Sequence, residues 1–375
     1  MPFGKVPEML AFFTGVRVDA DTVRRITEQA GAALVAVEAA AVATLEATQP
    51  DPPPGPAVQQ VSVDGAMVPL VGGLWGKVKT LAIGTVIRAQ QGVVRATALS
   101  YCSRLADAET FSRVSQGETH RRGTARAGVV CAVMDGAPWL QEWVRVHCPD
   151  AVRILDFPHA AQHLALAAAA TFGAGSAAAT AWLDTQCHLL KHTGAAPVLA
   201  ALRALPVAAA VAPVSAGATR DAVLRYLETR REQIAYADFV ARGYPIGSGM
   251  VESANKLVVE ARLKGSGMHW AREQVNPMVA LRALACGERW EEGWQALWRY
   301  RVAASSTSRC RPASRAASPV PVATCPPHSV PPARVVSAPP VPPHPLVVNG
   351  KPTAQHPWRK RLLLPRIPAA SPAKL

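Results

Sequence analysis

The chain has 375 residues, 49% of them hydrophobic, which suffices for one large domain with appendages or for two ordinary domains. Its formal net charge is +14, yet residues 301–375 hold 11 Lys or Arg and no Asp or Glu. The first 300 residues therefore carry 29 basic against 26 acidic side chains, so a polyanionic partner is implied mainly by the tail. The seven cysteines are scattered and form no CxxC pair, which excludes a zinc knuckle and fits reduced thiols in the cytosol. No signal peptide opens the chain, and no apolar run reads as long enough to span a bilayer; the Ala-rich stretch at 164–170 is interrupted and short. A cytoplasmic protein acting on DNA or RNA, with no membrane partner, is the expectation.

Residues 1–48 read as helical. A first helix over 8–14 is interrupted by Gly15, and Asp19 or Asp21 can cap a second over 22–31, with Val23 and Ile26 inward and Arg24 and Arg25 outward. Two helices joined by a Gly-containing turn match a helix-turn-helix, in which Arg24 and Arg25 would contact DNA; a plain helical hairpin with a solvated basic face fits the same spacing. Ala- and Val-rich helix continues to 48, and residues 49–58, with the run QPDPPPGP, form a stiff extended linker.

Strand patterns follow. Residues 60–64 (QVSVD) alternate and end at Asp-Gly, 78–87 are β-branched and apolar, and 93–101 alternate again. After a helix over about 106–121, the run VVCAVMD at 129–135 marks a strand buried on both faces. A helix over 138–146 and a short strand at 152–156 complete an α/β layer with a mixed sheet. From about 158 to 240 the chain is Ala-rich and helical, without strand signals, and reads as an insertion. Residues 245–249 (PIGSG) form a loop, 250–263 a helix, and 269–286 another. Trp290, Trp294 and Trp298 make an aromatic helix face expected to serve core or interface packing. The catalytic domain is thus placed at 59–300 and a Pro-rich, basic, disordered tail at 301–375, which holds 17 of the 33 prolines.

Two acids follow apolar strand patterns, Asp64 in VSVDGAM and Asp135 in AVMDGAPW, and a third, Glu252, sits early in a helix in GSGMVESANK. Carboxylate oxygens suit hard divalent cations, and two-metal phosphodiester chemistry places its ions about 3.5–4 Å apart with a shared bridging group. Singly, each acid has an ordinary role: Asp-Gly makes turns, and a Glu in a first helical turn offsets the helix dipole. Together, in this order of elements, they form a candidate catalytic and metal-binding triad. Asp156 and His159 form a D-x-x-H group that is either a structural cap or a support for a phosphate or carboxylate. Ser248 in the Gly-Ser-Gly loop is a further supporting candidate, able to present free backbone N–H groups to a phosphate. Asn255, Lys256, Arg262, Lys264, His269, Trp270 and Arg272 mix basic, polar and aromatic groups beside the acid helix. They suit a DNA backbone with an unstacked base on Trp270, or else a solvated basic face around a core Trp.

The stretches VSVDGAMVPLVGG, WGKVKTLAIG, SRLADAETF, DAVRILDFPHAAQHL, YPIGSGMVESANKLVVEARLKGSGMHWAREQVNPMVALR and NGKPTAQHPWRK resemble bacterial insertion-sequence transposases of the ISKra-type group. The resemblance covers most of residues 8–300 and the end of the tail. It implies an RNase H-like fold with a helical insertion before the last acid, and Asp64, Asp135 and Glu252 as a DDE triad holding two Mg²⁺ or Mn²⁺ ions. The Asp156–His159 group is similar to a signature of Mutator-like transposases, and residues 14–31 to the group's helix-turn-helix. The implied activity is DNA cleavage and strand transfer at element ends. The implied partners are terminal-repeat and target DNA and further copies of the chain on paired ends, in the nucleoid-containing bacterial cytoplasm. Members of the group carry an additional Cys-rich N-terminal region, whereas the first cysteine here is Cys102. A truncated, non-catalytic DNA-binding remnant and a nuclease without joining activity are therefore the alternative expectations.

Overall fold

The structure is a computed structural model describing residues 2–89, 93–206, 215–309, 347–348 and 351–352. Two N-terminal helices, α1 (Val6–Thr14) and α2 (Ala20–Thr48), are separated by Gly15, which ends α1 at φ 72°, a conformation that favours glycine. Asp19, not Asp21, caps α2, its carboxylate accepting from the Thr22 N–H at 2.6 Å. Ile26, expected inward, is 55% exposed. The face that α2 buries instead carries Gly31, Leu34 and Val42. Gly31 lies against the backbone of Pro277, where any Cβ would collide, so the glycine permits the close helix approach.

Five strands form one sheet in the order β3-β2-β1-β4-β5, with β1 (Val58–Pro69), β2 (Trp75–Arg88), β3 (Val94–Leu105), β4 (Val129–Met134) and β5 (Val152–Leu155). The first three are antiparallel neighbours, and β4 and β5 add in parallel. The sheet is thus mixed, as the patterns imply, but β1 is longer than expected. Asp64-Gly65 is mid-strand, with Asp64 opposite Thr80, and the hairpin turns later, at Val71–Gly73. Gly65 can stay in the strand because the Lys77 side chain lies where its Cβ would be.

Helices cover both faces. On one side, Val61, Val63, Leu81, Ile83, Ala132 and Met134 meet Phe111 of α3 (Ala108–Arg121) and Leu140, Trp143 and Val144 of α4 (Pro138–His147). The alternate residues Cys131 and Val133, with Ile154 and Leu155, face the helical insertion. Burial of successive β4 residues on opposite sides accounts for its unbroken apolar sequence. The insertion comprises α5 (Phe157–Phe172), α6 (Ala177–His192), α7 (Ala195–Ala204), α8 (Ser215–Glu228) and α9 (Tyr236–Arg242), with no strand among the described residues.

The remaining layer is a helix over Gly249–Leu263, followed by α12 (Arg272–Cys286). The first is α10 (Gly249–Ala254), a π turn at Asn255–Glu260 and α11 (Ala261–Leu263). With α2 they bury Val68, Val78, Ala82 and Tyr101 of the sheet. The last helix, α13 (Trp290–Arg309), runs past the expected boundary at 301. Its tryptophans are not core: Trp290, Trp294 and Trp298 are 49, 48 and 68% exposed, while Leu297 between them is buried. From 310 onward the expected tail lies outside the described residues except for a two-residue antiparallel pair, Val347–Val348 with Lys351–Pro352.

Two further expectations need correction. The Pro-rich segment 49–57 is docked: the Pro52 carbonyl accepts from Arg126 at 3.2 Å, and the Pro56 and Ala57 carbonyls accept from the N–H groups of Gly128 and Val129 at 3.0 and 2.9 Å. And among the described residues one helix, α2, is long and apolar enough to cross a membrane by length and composition, its apolar window having mean hydropathy 1.6. That window comes from the Ala- and Val-rich sequence that continues the second helix to 48, as expected. Here its Glu38 pairs with the buried Arg104, and its Glu46 with Arg113 at 2.6 Å.

Candidate functional site

The parallel pairing of β1 with β4 runs only from Val58 to Val61, after which the two strands part. Asp64 lies three residues beyond the last pair, Asp135 directly follows β4, and Asp156 directly follows β5. The parting strands leave a crevice at their C-terminal ends. Asp64, Asp135, Asp156, His159, Ser248 and Glu252 line one cavity there of about 160 Å³, with Val63, Met134 and Val251 supplying apolar wall.

Each acid is held differently. Asp135 accepts from the Ala137 N–H at 2.8 Å, fixing the turn into α4. Asp156 is buried and bridges two elements: one oxygen caps α5 by accepting from the His159 N–H at 3.2 Å, and the other accepts from the Ser248 N–H at 2.7 Å. Asp156 is thus a structural cap, and its second bond pins the loop that starts α10. The Gln60 side-chain amide adds a bond to the Gly247 carbonyl at 3.0 Å. Glu252, in the first turn of α10, is exposed.

Asp64 receives the Asn255 side-chain amide at 3.1 Å. Asn255 stands at the start of the π turn and is 6% exposed, and its own Oδ1 is buried with no hydrogen-bond partner among the described residues. The sequence grouped Asn255 with a DNA-facing surface; the structure puts it in the carboxylate site, on the inward helix face shared with Val251, Ala254, Val258 and Val259. Burial raises the Asp64 carboxyl above its ordinary value. The Gly65 N–H opposes that shift, the Asp135 carboxylate adds to it, and Lys77 and Asn255 lower it again.

The donor set fits a hard divalent cation, since the three candidate ligands offer only carboxylate oxygens around a crevice where Asp64 already feels Asp135. Among the described residues no three His, Cys, Asp or Glu side chains are drawn together tightly enough to hold an ion as they stand. The exposed Glu252 is the candidate ligand with freedom to adjust.

No protein-family model and no curated protein matches the chain.

Of the remaining sequence candidates, Arg24, Arg262, His269 and Trp270 line one cavity of about 410 Å³ that shares no lining residue with the acid crevice, and the others are dispersed. Lys256, Lys264, His269 and Arg272 are exposed, Lys264 paired with Glu260 at 2.7 Å. Trp270 is only 8% exposed: its backbone bridges to Leu70, and Arg262 lies 5.0 Å over its ring and 4.5 Å over that of Phe3. Its ring is packed in the core and offers no open face for a base. Arg24 is engaged by Asp21 and, at 3.6 Å, by Glu28, while Arg25 is exposed on the same helix.

Sequence reasoning missed a contact from the insertion. Arg230 donates to the Gly136 carbonyl at 2.8 Å and lies 3.9 Å over the Tyr226 ring, which stacks on His163 at 3.9 Å; His163 in turn meets His159 at 5.0 Å. A Cβ at Gly136 would collide with Tyr226 and Arg230, so the glycine after Asp135 serves this approach. The DG pair was legible, but its partner nearly a hundred residues away was not. Gln162, one turn past His159, also lines the cavity and carries no sequence signal of its own.

Proposed function

We propose that this chain is a DDE-type transposase with an RNase H-like catalytic domain, cutting and joining DNA at the ends of a mobile element. The observation that carries the reading is the meeting of Asp64, Asp135 and Glu252 in one crevice. The first two come from neighbouring strands and the third from a helix more than a hundred residues later. Mixed sheet order, helical insertion and the resemblance of the GSGMVESANK block support it together. Such a protein works on the bacterial nucleoid, with terminal repeats, target DNA and further copies of itself as partners.

Asp64, Asp135 and Glu252 would hold two Mg²⁺ or Mn²⁺ ions, which supply activation of the attacking oxygen and neutralisation of the leaving one in in-line phosphodiester displacement. The chain's own groups set the stage for this. Asn255 fixes the orientation of the Asp64 carboxylate and favours its ionised form. Asp156 fixes the backbone of both His159 and Ser248, so that the His159 ring stands at the cavity wall, in place to orient a phosphate oxygen. Val63, Met134 and Val251 limit water around the reacting centre. No covalent protein–DNA intermediate is required. Arg24 and Arg25, if they read DNA, must give up intrahelical contacts of Arg24 to do so.

The test is Mg²⁺- or Mn²⁺-dependent cleavage and joining of a labelled duplex carrying the element end, wild type beside Glu252→Gln. Both activities present and lost in the variant support the proposal. Cleavage without joining makes the protein a nuclease. Binding without any cleavage makes it a DNA-binding remnant.

A further inference from the structure

Two lysines outside the acid cavity have no use in the scheme above. Lys77 and Lys79 alternate on β2, so both side chains project from the same face of the sheet. Their ammonium groups stand 5.8 and 5.7 Å from the centre of one ring, that of Trp139 in the first turn of α4. Lys77 reaches across Gly65, whose missing Cβ makes room for it, and its charge is felt by Asp64. Lys79 is anchored by donating to the Ala106 carbonyl. Neither stands within ion-pair distance of a carboxylate among the described residues; burial together with the Lys77 charge lowers the Lys79 ammonium below its usual value, against an opposing pull from the more distant Asp107. Two like charges over one ring, with no carboxylate at ion-pair distance from either, repel each other, and a bound anion relieves the repulsion.

We propose that Lys77 and Lys79, side by side over Trp139, form a phosphate-binding site for the DNA backbone next to the Asp64–Asp135 crevice. The assignment rests on the DNA-processing function proposed above and identifies which residues hold the strand as it enters the site. Trp139 sits four residues after Asp135, and the Lys77 charge is felt by Asp64, so the lysine pair stands near enough to the acids for one DNA strand to reach both. The contact is to the backbone, so it positions the strand and carries no sequence preference.

The experiment is a salt titration of binding between the full chain and a labelled DNA duplex, in EDTA so that no cleavage intervenes. Wild type is set beside Lys77→Ala, the Lys77→Ala/Lys79→Ala double variant and the Lys77→Arg/Lys79→Arg double variant. Each phosphate neutralised contributes about 0.9 to the slope of log Kobs against log salt. The alanine pair is expected to lower the slope by about 1 and affinity by about tenfold at low salt, equally for unrelated sequences, and the arginine pair to restore both. Lys77→Ala alone, which leaves the Lys79 anchor intact, is expected to weaken binding severalfold, with an unchanged thermal melt. Wild-type slope and affinity in both alanine variants would overturn the lysine site and leave the function proposal standing. No DNA binding by wild type at any salt would remove both.

Discussion

Asn255, on the π turn, donates its side-chain amide to the carboxylate of Asp64, which lies 191 residues earlier in the chain, at 3.1 Å. The bond ties the helix that carries Glu252 to the central strand and supplies Asp64 with a neutral donor in a crevice where burial and Asp135 both disfavour its charge. Supporting partners of metal-ligating carboxylates are commonly worth 10–100-fold in affinity or activity. Asn255→Leu is therefore expected to lower metal-dependent cleavage by about 10–100-fold while the melting temperature moves little. Activity within twofold of wild type would show that the bond is incidental.

The raised Asp64 carboxyl makes a stability statement with a definite sign. A carboxyl whose folded value lies above its unfolded one favours the fold when protonated and disfavours it once ionised. Stability from this group is present below its ordinary value of 3.8 and is lost as pH rises through the folded value. Asp64→Asn should accordingly raise the melting temperature at pH 7–8 in EDTA, and the gain should vanish below pH 3.8. Calorimetry across that range decides it; a gain independent of pH would assign the effect to something other than charge.

His147 behaves in the opposite sense. It lies against Trp143 at 4.5 Å between ring centres and shares a 2.8 Å hydrogen bond with Ser112 Oγ, and burial lowers it from 6.5 to about 4. The folded state holds it neutral, so its contribution is complete above 6.5 and is lost as pH falls towards about 4. At about 1.4 kcal/mol per unit, that loss is on the order of 3 kcal/mol. His147→Gln should flatten the acid limb of a stability–pH curve between these values, and an unchanged limb would place the proton uptake elsewhere.

Arg104 is buried, held down to about 10 by desolvation, and meets Glu38 of α2. Removing one partner of a buried pair strands the other's charge, whereas replacing both with apolar groups does not. Because the Glu38 side chain is 37% exposed, Glu38→Ala is expected to cost about 1–3 kcal/mol rather than the larger figure for a fully buried pair. Glu38→Leu/Arg104→Met should recover most of that loss in denaturant titrations. A double variant worse than the single would mean that the pair contributes net stability.

Much of the sheet was legible because its strands bury alternate or successive residues: VVCAVM could be read as a doubly covered strand, and β4 has helices on both sides. Asp64 and Asp135 were legible because they follow apolar runs, and Glu252 because it opens a helix after a Gly-Ser-Gly loop. What escaped the sequence has one physical origin, namely long-range context overriding local period. Asp64-Gly65 reads as a turn yet continues a strand, since a lysine from the next strand fills the glycine's empty side. Asn255 reads as surface by its polar type, yet it shares the inward helix face of Val251, Ala254, Val258 and Val259, where Asp64 meets it from the sheet. Trp270 takes the core place that is one of its two readings, and the Trp290, Trp294 and Trp298 stripe is exposed and not core. A backbone bridge to Leu70 buries the first, and the second lies on a helix whose inward contact is Leu297.

The order in which these groups are synthesised adds a temporal dimension to the bond between Asn255 and Asp64. At roughly 5–20 residues per second, a ribosome needs about 10–40 s to travel from one to the other. During that interval the β1–β3 hairpins and even β4 and β5 can pair, while Asp64 and Asp135 face each other without the amide that steadies the first. The Asp156 carboxylate likewise waits 92 residues for the Ser248 N–H. A nascent chain halted before residue 248 therefore displays a nearly complete sheet whose crevice lacks its last wall, and the crevice closes only once the helix bearing Glu252 emerges.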